Sequence, residues 1–164
     1  MSACVTPEVG QYLAGLTDGE GCFGIYTSTR WTYRVEFVIN LRADDRPLLE
    51  WLKAETGLGY ISVASRKKRG DKPTARWAVQ SIRECLDLIA IFETYPLRSK
   101  KARDFEIWAK AVRTCSAGGS SRIGRFMIAL RAMRSYEGSL AASDLDDEDE
   151  AEQLLLLGHP ETSA

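Results

Sequence analysis

Two acids stand two residues apart in the segment Thr17-Asp18-Gly19-Glu20-Gly21. The residues before them predict a helix over about 7–18, so the acids fall at its C-terminal end. The helix dipole disfavours anions there. Acids in that place call for a compensating cation, either a side chain or a metal. Ala14, Gly15 and Gly19 are small enough to let this helix lie very close to another, and Gly10 is compatible with the same approach. Two copies crossing side by side would bring two Glu20 carboxylates together. With phosphate oxygens as shared ligands, such a pair can hold a divalent cation such as Mg²⁺. A helix cap carrying two surface acids accounts for the same spacing, and the acids alone do not decide between the two.

The elements that must position these groups can be read from the chain. Thr6-Pro7-Glu8 is an N-cap, a proline at the first helical position and an acid in the first turn. After the glycines, residues 22–30 and 33–41 read as strands. In the second, Val35, Phe37, Ile39 and Leu41 alternate with Arg34, Glu36, Val38 and Asn40, a half-buried pattern apart from Val38. A helix over about 46–56 is stopped by Gly57 and Gly59. Strands at about 60–65 and 74–81 flank the basic turn Arg66-Lys67-Lys68-Arg69-Gly70-Asp71-Lys72. Helices follow at about 82–94, ended by Pro96, then at 99–114 and near 120–136. Four strands with helices on one face leave the other face open. Tyr26, Ser28, Arg30, Arg34, Glu36, Arg66 and Arg76 alternate onto that open face.

Charge divides the chain. The formal net charge is −1, yet residues 144–164 hold eight acids and no Lys or Arg. Residues 1–143 therefore carry 22 basic against 15 acidic side chains, a net of +7. A basic body suits contact with DNA or RNA. We read 1–143 as one domain and 144–164 as an acidic, flexible tail, either solvated without a role or competing with phosphate for the basic face. No run of about 18 apolar residues is present, so no membrane span is expected. The N-terminus lacks the pattern of a secretion signal. Cys4, Cys22, Cys85 and Cys115 show no C-x-x-C pairing and His159 is the one histidine, which favours reduced thiols over a zinc site or disulfides. Trp51 and Trp77 read as core residues rather than a stacking platform.

The string Leu13-Ala14-Gly15-Leu16-Thr17-Asp18-Gly19-Glu20-Gly21 closely resembles the signature that names the LAGLIDADG homing endonucleases. It departs at Thr17, Gly19 and Glu20, each keeping the small or acidic character the motif needs. The resemblance extends over about residues 8–110, through Phe37-Val38-Ile39, Gly57-Leu58-Gly59-Tyr60 and Tyr95-Pro96-Leu97-Arg98-Ser99-Lys100-Lys101.

The resemblance implies an α+β fold with an αββαββα core, an antiparallel DNA-reading sheet and extra C-terminal helices. It implies Glu20 as catalytic acid and metal ligand, the Gly19 carbonyl as a second ligand, and Mg²⁺ as cofactor, with Mn²⁺ able to substitute. Lys100 resembles the basic residue near the cleavage centre, with Lys101 the competing alignment. Leu13, Ala14 and Leu16 resemble packing residues of the subunit interface, and a single motif implies a homodimer. Double-stranded DNA is the implied partner, read by Tyr26, Ser28, Arg30, Arg34, Glu36 and Arg76. Arg66 joins them at the basic turn, where Lys67, Lys68, Arg69 and Lys72 suit phosphates. The implied reaction is site-specific hydrolysis of both strands of a long, near-palindromic target, promoting spread of an intron or mobile element. The family's polar residue near the end of the second strand matches Leu41, flanked by Asn40 and Arg42. That departure keeps open a cleavage-deficient binding protein or an RNA maturase of the same fold. The compartment stays open between a bacterial cytoplasm and an organelle matrix.

Overall fold

In the computed structural model the described residues are 5–29, 32–64 and 72–134. Arg30, Arg66, Lys67, Lys68, Arg69 and the tail 144–164 lie outside them, as does the side chain of Ser28. The order is α1 (Pro7–Glu20), β1 (Gly21–Thr29), β2 (Thr32–Arg42), α2 (Arg46–Thr56), β3 (Tyr60–Ala64), β4 (Thr74–Val79), α3 (Ile82–Thr94), α4 (Lys101–Ser116) and α5 (Gly124–Arg134). This is the αββαββα order with extra helices that the sequence implies. The Thr6 side chain caps α1 by accepting from Val9 N–H at 3.4 Å. Gly57, in the left-handed region with φ 69°, ends α2. The expected single helix near 120–136 is split into a 3₁₀ turn, Ser120–Ile123, followed by α5.

The sheet is antiparallel, in the order β1-β2-β4-β3. Registers Phe23↔Phe37 and Phe37↔Val79 place these residues on one face, and Phe23 and Ile25 of β1 with Val35, Phe37 and Ile39 of β2 bury against the helices. Phe23 and Phe37 are fully buried, with ring centroids 5.2 Å apart; Phe23 also meets Trp108 at 5.2 Å and Phe105 at 5.6 Å. This aromatic cluster fixes α3 and α4 to the inner face of the sheet. Trp77 is fully buried as expected, and its Nε1–H donates to the Leu58 carbonyl at 2.9 Å. Trp51 departs from expectation. It lies on the outer side of α2, 38% exposed, and packs edge-on against exposed Tyr12 of α1, because Leu49 and Leu52 already fill the helix's inner face. Cys22, Cys85 and Cys115 are free thiols, and burial pushes Cys85 up to about 12. Among the described residues, no helix is long and apolar enough to cross a membrane.

Candidate functional site

α1 passes into β1 without a loop. Gly21 caps the helix in an extended conformation, its N–H donating to the Thr17 carbonyl, and it is also the first residue of β1. Glu20 is thus held at a junction of two regular elements, with its side chain exposed. There is no basic residue in the last turn of α1, and among the described residues no cation pairs with Glu20. Asp18 is compensated differently. Its carboxylate accepts the backbone N–H groups of Arg98 at 2.9 Å and Ser99 at 3.1 Å. Burial pushes the Asp18 carboxyl up, but these bonds, the Ser99 hydroxyl and the Lys101 charge outweigh it and hold it below its usual value.

The turn pinned by Asp18 carries the two candidate lysines. Ser99 Oγ accepts from Lys101 N–H at 3.1 Å, and the Lys101 ammonium donates to the Gly21 carbonyl, one residue beyond Glu20. Lys100 is the N-cap residue of α4 and is exposed. The start of α4 therefore brings Lys101 to the end of α1, a pairing that the adjacent lysines in the sequence left open.

The chemistry of the donors at this junction is that of a hard cation. Glu20 supplies a carboxylate, and the last carbonyls of α1, including that of Gly19, lie where a helix leaves its oxygens without intrahelical partners. Oxygen ligands of this kind suit Mg²⁺ or Mn²⁺. Among the described residues no group of three or more His, Cys, Asp or Glu side chains converges.

The faces of α1 sort the residues assigned to a subunit contact. Leu13 is fully buried and Ala14 is 7% exposed, and both belong to the core of this chain. Leu16 is half-buried. Gly15 and Gly19, exposed and one turn apart, have open space where a Cβ would stand. Gly15 also borders a groove of about 460 Å³, walled by Gln11, Asp18, Tyr95 and Arg98.

The outer face of the sheet carries the sequence-predicted reading residues only in part. Tyr26 and Arg34 face one another across β1 and β2 and are exposed. Arg76 is half-buried, opposite exposed Asn40. Glu36 is a correction: although it alternates outward, it is 5% exposed, because its carboxylate is engaged by Arg76 and by Gln80 at 2.6 Å. Sequence reasoning missed Gln80, although extending the alternation Thr74, Arg76, Ala78 by one step reaches it. Leu41 packs against the core, while its neighbour Asn40 supplies the polar group on the outer face. Arg42 is engaged by Asp44 at 2.5 Å.

Three comparisons with known proteins bear on this arrangement. Residues 13–112 match the family described as LAGLIDADG endonuclease. A probable intron-encoded endonuclease 3 of Neurospora crassa is 31% identical over 107 residues, which is 61% of this chain and 19% of that protein. The LAGLIDADG meganuclease I-AabMI, in a crystal structure bound to uncleaved DNA, is 30% identical with a TM-score of 0.65, over 84% of this chain and 48% of that one. The homing endonuclease I-TnaI shares the fold at 20% identity and a TM-score of 0.60, over 89% of this chain and 97% of that one. The chain thus spans about a fifth of that curated relative and about half of I-AabMI.

Proposed function

The chain belongs to the LAGLIDADG endonuclease family, and from that premise we propose that it is a site-specific DNA endonuclease working as a homodimer. The observation that carries this reading is the Glu20 carboxylate, without a cation partner among the described residues, at the α1–β1 junction where the Lys101 ammonium binds the Gly21 carbonyl, at the start of a sheet whose outer face bears Arg34 and Arg76. Gly15 and Gly19 let two α1 helices approach closely, so that two Glu20 groups face two scissile phosphates. A two-fold assembly has identical reading sheets and favours a long, near-palindromic duplex.

Glu20 and the Gly19 carbonyl would hold Mg²⁺, with Mn²⁺ able to substitute. The bound cation would supply Lewis-acid activation of water and neutralise charge on the departing 3′-oxygen. Lys101 has three ammonium protons and commits one to Gly21, which orients the others toward the junction, where they can stabilise charge developing on a phosphate oxygen. The outer sheet face fixes the duplex through base edges in the major groove. The fungal intron-encoded relative supports a role in intron homing, and its source favours an organelle matrix over a bacterial cytoplasm.

The test is selection of cleavable sites from a randomised palindromic library with Mg²⁺, using the wild type and Glu20→Gln in parallel. Double-strand cutting by the wild type alone supports the reading. A folded protein that binds selected DNA but cuts none with Mg²⁺ or Mn²⁺ replaces it with a nucleic-acid-binding role, and selective RNA binding points to a maturase.

A further inference from the structure

Glu36 occupies an unusual place for a carboxylate. It stands on the outer face of a central strand, yet it is nearly closed off from solvent. Four residues surround it, Gly24 and Tyr26 on one side and Arg76 and Gln80 on the other. Gly24 lies directly opposite it on β1, and the Tyr26 ring folds back over that glycine, so that a Cβ at Gly24 would come within 2.6 Å of the Tyr26 hydroxyl. On the other side, Arg76 Nη2 and Gln80 Nε2 both donate to the same oxygen, Glu36 Oε1. Burying a charge is costly unless it is paired and hydrogen-bonded, and here both conditions are met. Arg76 is the half that stays open: its side chain is 39% exposed against 7% for Glu36. One N–H of Nη2 is committed to Glu36 and Nε is buried without a partner among the described residues, which leaves the two N–H groups of Nη1 and the second of Nη2 at the end of the fork.

We propose that Glu36 is a positioning residue that aims Arg76 at one base pair of each half-site, so that specificity at a guanine depends on a carboxylate that does not itself touch DNA. The proposal rests on the DNA-endonuclease reading above. An arginine held by a buried partner loses less rotamer freedom on binding than a free one, and its fork meets guanine O6 and N7 in a fixed direction. The free arginine alternative, swinging among phosphates, would position the duplex without selecting sequence. Gly24 belongs to the same device, because any side chain there displaces the Tyr26 ring that closes the pocket.

The experiment compares full-length wild type, Arg76→Ala, Glu36→Gln and Gln80→Leu by selection from the same randomised library with Mg²⁺, and by binding to the selected duplex across a salt series. Arg76→Ala locates the base pair by flattening the preference there. Glu36→Gln is expected to lower discrimination at that same base pair about tenfold, with preferences elsewhere kept and the salt slope unchanged, because no phosphate contact is lost. Gln80→Leu, which leaves the charge pair in place, gives a smaller loss at the same position and serves where Glu36→Gln does not fold. An unchanged profile at the Arg76 position in folded Glu36→Gln, or an equal loss at every position, overturns the proposal and leaves the endonuclease reading standing. A wild type that selects no DNA site overturns both.

Discussion

The carboxylate of Asp18 accepts the backbone N–H groups of Arg98 and Ser99, tying the end of α1 to a turn eighty residues further along the chain. The carboxyl titrates below its usual value in the folded protein. A depressed folded value means that the contribution is complete above the unfolded carboxylate value, about pH 4, and is lost as pH falls through the lower folded one. Asp18→Ala should cost about 1 kcal/mol at pH 7, the lower range for bonds to a charged group at a partly solvated site. Asp18→Asn should lose less at pH 7 and show a shallower fall in stability below pH 4 than the wild type. Urea midpoints at pH 7 and pH 3 check both; parallel pH curves for wild type and Asn would refute the assignment.

The same turn separates the two lysines. Lys101 reaches the Gly21 carbonyl while Lys100 is exposed at the head of α4. Lys101→Met should slow single-turnover cleavage about a hundredfold, the scale of one lost electrostatic donor, with a much smaller change in DNA affinity. Lys100→Met should act chiefly on affinity. A larger cleavage defect in Lys100→Met would return the role to that residue.

The element order was legible in the sequence because its signals are local: Pro7 and Pro47 near helix starts, Gly57 at a helix stop, and in β2 an alternation broken only by Val38. The expected helices at 46–56 and 82–94 coincide with α2 and α3. What was not legible depends on groups far apart in the chain. Alternation puts Glu36 on the outer face, and it cannot show that Arg76 and Gln80, forty and forty-four residues away, close over it. Adjacent Lys100 and Lys101 differ by about 100° around a helix start, and only the anchoring of Ser99 by Asp18 fixes which one turns inward. A motif string has no burial attached to it, so Leu13 reads from the sequence only as a packing residue, and the fold alone shows that it fills the core of its own chain.

That division of α1 has opposite consequences for its residues. Leu13→Ala should destabilise the protomer by about 2–5 kcal/mol, the range for emptying a buried leucine site. Gly15 faces open space, so Gly15→Ala should raise protomer stability by about 0.5–1 kcal/mol through helix propensity. If two α1 helices meet at this face, Gly15→Leu should shift a dimer toward monomer while unfolding of the dilute protomer is little changed. Sedimentation across a concentration series, paired with denaturation at the dilute end, reads both effects. Unaltered association by Gly15→Leu would remove this face from the interface.

Thr17 provides a test inside the motif itself. It is fully buried, and its Oγ1 has no hydrogen-bond partner among the described residues. Its methyl group packs against Gly21, where an added Cβ would come within 2.5 Å of Thr17 Cγ2. A buried hydroxyl without a partner costs about 1–3 kcal/mol. Thr17→Val keeps the β-branched shape and the methyl contact while removing that polar atom, so it should stabilise the protein by about 1 kcal/mol. Thr17→Ala also removes the hydroxyl but opens a void beside Gly21, and should be less stable than Val by the cost of the lost methyl groups. Denaturant midpoints of the three proteins order them. A Val variant weaker than the wild type would mean that the hydroxyl is satisfied, and a solvent-bridged bond at the α1–β1 junction would then be the feature to locate.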